Sequence, residues 1–411
     1  MSDSLSATAD TELVGIVPEE RTEAAWPAIF SLAMGVFGLV TAEFLPASLL
    51  TPIAADLRIS DGAAGQAVTA TAVIGAVAGI ATAILTRNLD RRVVMWSLTG
   101  LLIVSSLLAA VANGLPMLLV ARLLLGIGLG GFWSMAAAIA MRLVPMEAMP
   151  RAMAIIFTGV SVATVSAAPA GAYLGDLIGW RAVFVLSAVV GGFTLLAQVL
   201  TLPRLPPLAA PSLRTLGELL GRPAIRLVLL SVLVIISGHF AGFTYIRPFL
   251  EQVPLLKVEL ISLVLLAYGV GGFFGNLVGG AVVARSVKAA VVTGALAIGI
   301  AALAMAFAGT SLAVSAVAVA AWGFFFGFLP VGIQTWTVRV AADQAEAAGG
   351  LLVAAFQVAI AGGAVLGGLL VDHLGALGAV GYLAIATILG AVLVFIAGHE
   401  PLAAGAVTPA L

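Results

Sequence analysis

The chain contains no cysteine, which removes disulfide frameworks, thiolate metal sites and cysteine nucleophiles by inventory. Charge is nearly as scarce. Asp, Glu, Lys and Arg together supply 9% of the residues, against about 25% in soluble domains. Basic excess is missing as well: 18 Lys and Arg face 19 Asp and Glu, for a formal net charge of -1, so nothing recommends nucleic acid as a partner. With three histidines in all, no His-rich metal set forms, and no nucleophile stands beside a base. Neither a metal nor another cofactor nor an enzymatic activity is expected. The opening residues 1–25 lack the basic start and apolar centre of a cleavable signal; they are acidic, with Asp3, Asp10, Glu12, Glu19, Glu20 and Glu23, and are expected to be a disordered cytoplasmic tail.

What the chain has instead is apolar surface, 62% of residues being hydrophobic, and this composition makes lipid its solvent. Apolar runs recur at 26–50, 64–86, 93–112, 116–142, 151–174, 181–202, 226–249, 259–284, 289–309, 312–338, 348–371 and 376–398. Each is near the roughly 20 residues that a helix needs to cross a bilayer. The runs lack the period-2 alternation of barrel strands, so they predict an all-α membrane protein of twelve transmembrane helices.

The longest interruption gathers Pro203, Pro206, Pro207, Pro211 and Pro223 with Arg204, Arg214, Arg222 and Arg226. It divides the chain into an N-terminal six-helix bundle at 26–202, a cytoplasmic linker at 203–225 and a C-terminal six-helix bundle at 226–398, followed by a tail at 399–411. An internal echo supports the division: Gly171-Ala-Tyr-Leu-Gly-Asp176-Leu-Ile-Gly179 parallels Gly367-Gly-Leu-Leu-Val-Asp372-His-Leu-Gly375. Two pseudo-symmetric bundles around a central cavity are the expected plan. Alternating the loops from a cytoplasmic amino terminus puts most Lys and Arg inside, which predicts both termini in the cytoplasm.

Charge within a span is costly, so it marks candidate function. Glu43 in the first span and Arg122 in the fourth lie at similar depth, where they are placed to meet across the cavity. Glu43 is the candidate proton or cation site, with Arg122 tuning it by opposite charge; the competing reading is a static ion pair between helices. The seventh span carries His239, a relay candidate or a packing residue, together with Tyr245 and Arg247. Gln66 and Thr69, Trp133 and Ser134, Asn276, Trp322, Gln334 and Trp336, and Gln357 add stacking and amide groups suited to an uncharged heteroaromatic or polyol substrate. Of these, Gln66, Trp133, His239, Tyr245, Asn276, Gln334, Trp336 and Gln357 form the expected substrate set. Glycine rows such as Gly271, Gly275 and Gly279 read as close helix contacts. The run Gly126-Ile-Gly128-Leu-Gly130-Gly131 has dinucleotide-fingerprint spacing but follows no strand and lies in an apolar span, so it is rejected as a nucleotide site.

These motifs resemble the twelve-span drug:proton antiporter branch of the major facilitator superfamily. Asp90-Arg91-Arg92 resembles the family's cytoplasmic loop motif, with Thr86 and Val93 standing where glycine is usual. Leu118, Arg122, Gly126 and Gly128 fit the fourth-helix motif, whose arginine the resemblance associates with proton coupling. Ala168-Pro169-Ala170-Gly171 is similar to the fifth-helix antiporter motif, with Ala168 replacing a glycine; Pro169 and Gly171, with Asp90, Arg91 and Arg92, are thereby implied as conformational residues. The strings Glu43-Phe-Leu-Pro46, Gly130-Gly-Phe-Trp133, Met141-Arg-Leu-Val-Pro145, Tyr245-Ile-Arg-Pro248 and Ala342-Asp-Gln-Ala-Glu346 resemble the branch's purine ribonucleoside exporters, and its sugar exporters share several of them.

The resemblance implies a monomeric bacterial inner-membrane antiporter. It would export purine ribonucleosides such as inosine and guanosine, with their base analogues, in exchange for protons. Sugar efflux, amphipathic-drug efflux and a non-transporting solute sensor are the alternatives.

Overall fold

In the computed structural model, residues 24–145, 148–207 and 213–398 are described. Nearly all of the two predicted tails and the middle of the predicted linker lie outside them. The elements in chain order are α1 (Trp26–Ser48), α2 (Leu50–Leu57), α3 (Asp61–Leu85), α4 (Arg91–Ala110), α5 (Leu115–Leu143), α6 (Met149–Ile178), α7 (Trp180–Thr201), α8 (Leu213–Leu220), α9 (Pro223–Thr244), α10 (Ile246–Gln252), α11 (Val258–Arg285), α12 (Val287–Ala308), α13 (Leu312–Phe326), α14 (Phe328–Val340), α15 (Ala345–Leu374) and α16 (Ala376–Ala397). Among the described residues twelve segments are long and apolar enough to cross a membrane, α13 and α14 together making one of them. The chain is a multi-pass membrane protein of two six-span bundles, α1 to α7 and α9 to α16. The end at which α1 begins is called the amino face below, and the opposite end the far face.

Three spans break where their sequence removes an intrahelical bond or supplies freedom. The first gives way at Leu49, three residues before Pro52, and continues as α2. The seventh breaks at Tyr245, three residues before Pro248, and the tenth at Gly327, three before Pro330. Proline has no N–H to give the carbonyl four residues back, so each break lies in the turn it weakens. The internal echo has a backbone counterpart. Gly179 (φ +85°) turns α6 into α7 and Gly375 (φ +74°) turns α15 into α16, the same left-handed corner in each bundle.

Packing within each bundle depends on backbone approach. Gly126 and Gly130 of α5 lie against the backbone of α3 at Thr71 and Gly75, so the rejected nucleotide run is a helix contact. In the second bundle α11 meets α13 in the same way, Gly275 resting on the Phe324 carbonyl. Gly275→Val is therefore expected to cost about 3 kcal/mol or more. It should appear as a lowered thermal midpoint and a poor monodisperse yield in detergent. Gly280→Ala, where a side chain meets open space, should leave both unchanged; equal losses would sink the packing argument.

The bundles meet along a seam. Gly62, Gly65 and Gly75 of α3 abut Asp372, Tyr245 and Gln357, and Gly269 of α11 abuts Thr164 and Val165 of α6. Ala47, Val68, Ala72, Ala168 and Ala172 of the first bundle join the apolar core of the second. These contacts run from the far-face ends of the helices, at Gly62 and Asp372, to their middles, at Gly75 and Gln357. Toward the amino face, a side chain at Gly349 or Gly350 of α15 would meet open space.

The start of the predicted linker is held on the first bundle. Leu202 and Leu205 are buried in its core, the Leu205 amide donates to Asp90 Oδ1 (3.1 Å), and Arg142 donates to the Pro206 carbonyl (2.8 Å). Its end is held on the second, where Leu219 of α8 packs with Ile225, Ala341 and Ala348. Exposed ion pairs trim both bundles. The Arg181 guanidinium beside Asp56 holds its carboxyl below the usual carboxylate range, helped by a hydrogen bond from Trp180, and Arg222 does the same to Asp343. A lowered folded-state pKa means that whatever these pairs contribute is present at neutral pH and lost on acidification below about pH 4. Their exposure keeps that contribution small.

Candidate functional site

Arg122 is buried in the first bundle, and its guanidinium donates to oxygens of that bundle. Nη1 donates to the Ala42 carbonyl at 2.9 Å and Nη2 to the Glu43 carbonyl at 3.4 Å. Nε donates to Thr71 Oγ1 at 3.1 Å and to the Ala67 carbonyl at 3.3 Å. Ala42 stands four residues before Pro46, so its carbonyl has no donor within α1, and in lipid no water replaces one. Arg122 supplies that donor from α5. The guanidinium thus ties α1, α3 and α5 together through backbone oxygens.

Glu43 is its neighbour within the same bundle rather than a partner across the cavity. Among the described residues its carboxylate has no hydrogen bond and no ion pair within 4.0 Å, although it is buried and within electrostatic reach of Arg122. The static ion pair is absent, and the carboxylate is left uncommitted. One residue further on, Phe44 crosses the seam to Phe240 and Phe243, with centroids 6.5 and 5.6 Å away.

His239 lies in an aromatic cage of the second bundle. Trp322 Nε1 can only donate, and it does so to His239 Nδ1 at 3.0 Å. The network therefore assigns the remaining proton to Nε2, which faces Tyr268 Oη at 3.4 Å. Phe326 stacks on the ring at 3.6 Å. These three partners, Trp322, Tyr268 and Phe326, all belong to its own bundle.

The other predicted residues divide by place. Tyr245 is buried at the far face, its hydroxyl between the carbonyls of Ala364 (2.9 Å) and Gly62 (3.3 Å), one from each bundle; it seals the seam. Trp336 is buried in the second core. Gln334 and Asn276 are exposed, and Gln66 is half-buried with its amide on the Gly62 carbonyl (3.2 Å). Trp133 is half-buried against Phe157 of α6, with centroids 5.9 Å apart. Gln357 is buried at the seam beside Gly75, and its Oε1 has no partner, as is true of Thr41 Oγ1 and Thr69 Oγ1. Sequence reasoning missed Thr41, Phe44 and the carbonyls that Arg122 holds; Pro46, four residues after Ala42, was the one available signal.

The loop motif is a clamp inside the first bundle. Asp90 Oδ1 caps α4 through the Arg92 amide (2.9 Å) and also holds Leu205. Arg91 Nη1 donates to the hydroxyl (2.9 Å) and carbonyl (3.1 Å) of Thr86, so the residue that departs from the usual glycine is used. Arg92 lies over the Trp96 ring at 4.7 Å. Gly171, two residues after the buried Pro169 of α6, lets that helix lie on Ser48 and Leu45, where α1 ends.

Comparison with known proteins agrees with this architecture. The pattern of the Major Facilitator Superfamily matches residues 30–349. The chain is 40% identical over 354 residues to the purine ribonucleoside efflux pump NepI of Shigella dysenteriae serotype 1, covering 86% of this chain and 90% of that protein. It is likewise 40% identical to the pump of the same name from Escherichia coli K12, covering 86% and 89%. A solved bacterial homolog of the human lysosomal transporter Spinster, inward-facing and unoccupied, superposes with a TM-score of 0.70 at 16% identity, over 90% of this chain and 95% of that one, a likeness of fold. With twelve spans in two bundles and a match of this extent, the chain belongs to the Major Facilitator Superfamily and is a membrane transporter, not an enzyme.

Proposed function

We propose that this transporter exports purine ribonucleosides, inosine and guanosine first among them, across the bacterial inner membrane in exchange for protons. The observation that carries this reading is the identity of 40% with a purine ribonucleoside efflux pump over 86% of the chain. The amino face lies in the cytoplasm, in keeping with the distribution of Lys and Arg. The protein works as a monomer. The arrangement described, closed at the far face, is then the state that takes substrate from the cytoplasm.

Exchange requires that proton and substrate each favour one conformation by differential affinity, so that each biases release of the other. Glu43 serves as the proton site because it is the buried carboxylate left uncommitted, and Arg122 keeps the turn of α1 around it in shape. Trp133 offers a stacking surface, and Gln66 and Gln357 offer amides to the base or ribose.

Counterflow in proteoliposomes tests the assignment. Vesicles preloaded with unlabelled inosine should take up labelled inosine, and guanosine should compete while chloramphenicol and lactose should not. Failure of folded protein to move inosine would end the nucleoside assignment, and competition by the sugar or the drug would identify the replacement.

A further inference from the structure

Five hydrogen bonds between described residues join the bundles at the far face. Thr51 donates to Glu251 Oε2 (2.6 Å), Arg247 Nη1 to the Ser48 carbonyl (2.6 Å) and Tyr245 to the Gly62 carbonyl. The remaining two converge on Asp372, at the far end of α15. Its Oδ1 accepts from the Gly62 amide (3.0 Å) and its Oδ2 from the Ser60 hydroxyl (2.8 Å). Ser60 is itself the N-cap of α3, accepting from the Ala63 amide at 3.1 Å.

A carboxylate of one bundle thus caps a helix of the other. It sits where the unpaired amides and the positive end of the helix dipole favour an anion. Both oxygens accept, so the interaction is made by the charged form; a carboxamide would bring one acceptor and no charge. Among the described residues Asp372 is the carboxylate of this seam whose two hydrogen-bond partners both belong to the opposite bundle. Glu251 keeps Arg247 of its own helix at 2.7 Å when the seam opens, whereas Asp372 loses both bonds.

The surrounding charge sharpens the point. Asp61 of α3 is within electrostatic reach of both Asp372 and Glu251, and Tyr245 is within reach of Asp372. Arg247 is already taken by Glu251 and Ser48. The internal repeat supplies a comparison. Asp176 occupies the matching position in the first bundle and is exposed like Asp372, yet it is hydrogen-bonded to no described residue. The repeat places a carboxylate at both positions, and this state engages the one at Asp372.

We propose that Asp372 is the latch of the far face: it holds that face shut, and loss of its charge moves the protein toward a conformation open there. The proposal rests on the alternating-access part of the function above and is indifferent to the solute carried. Loss of inosine exchange with an intact latch would count against the nucleoside alone.

The cysteine-free chain allows spin labels to be placed in pairs without background. One pair, Asn113→Cys with Thr310→Cys, reports across the far face from exposed loops of opposite bundles; a second, Asn88→Cys with Ala342→Cys, reports across the amino face. Distances are read by double electron–electron resonance on the full chain in lipid nanodiscs. Asp372→Asn is expected to raise the ratio of far-open to far-closed molecules about tenfold, equivalent to ~1.4 kcal/mol. The far-face distance should lengthen while the amino-face distance shortens. An unchanged far-face distribution overturns the proposal. So does a far-face increase without amino-face closure, because that marks local fraying or misfolding rather than a change of state.

Discussion

Glu43→Gln protein in proteoliposomes is expected to lose the acceleration of inosine movement by an imposed proton gradient, while still exchanging inosine for inosine. The amide cannot carry the coupling proton, but the cavity and the two bundles remain. The gradient-driven initial rate should fall by about 100-fold, or ~2.7 kcal/mol, to the level of wild type with the gradient collapsed. The thermal midpoint should not fall, because every Arg122 hydrogen bond ends on a carbonyl or on Thr71 rather than on the Glu43 carboxylate. Undiminished response to the gradient would remove Glu43 from the coupling mechanism, and a collapse in stability would restore the structural reading of the residue.

The second large effect is expected at Arg122. Arg122→Met leaves the Ala42 carbonyl buried with no donor, since Pro46 cannot provide one, and frees Thr71 and Ala67 from the same clamp. One unsatisfied buried carbonyl costs about 1–3 kcal/mol. Transport should be lost, and the thermal midpoint of the purified protein should drop. Arg122→Lys should recover part of the stability, since one ammonium cannot reproduce the fork that spans α1 and α3. The decisive comparison is Arg122→Met with Pro46→Ala. Alanine restores an N–H four residues after Ala42, so the double variant should regain stability relative to Arg122→Met without regaining transport. Strictly additive losses would show that the orphaned carbonyl is not what Arg122 serves.

The spans and their division into two sets of six were legible because lipid imposes a simple requirement, a run of apolar residues long enough to cross. Proline, glycine and charge punctuate those runs. The echo ending on Gly179 and Gly375 was legible for a related reason: a left-handed corner at the end of a long helix selects glycine in both bundles. The site was read less well. Depth along a helix placed Glu43 and Arg122 at one level, yet the direction of the guanidinium depended on a carbonyl that side-chain reasoning does not count. His239 stood open between relay and packing residue because Phe326, Tyr268 and Trp322, which surround its ring, come from elements far along the chain. Tyr245 and Asp372 were visible as polar residues, but their partners lie more than 100 residues away in the opposite bundle, and no local pattern encodes that pairing.

The proline-rich stretch between the bundles is a shorter leash than its sequence implies. Leu205 and Pro206 are fastened to Asp90 and Arg142, and Leu219 is seated against Ala341 and Ala348. Between Pro207 and Leu213 lie about six peptide steps, which reach at most roughly 20 Å. The covalent connection therefore acts as a mechanical stop. The bundles can swing apart at the amino face until that stretch is taut, and any wider excursion has to pull Leu205 off Asp90 or Leu219 out of its seat.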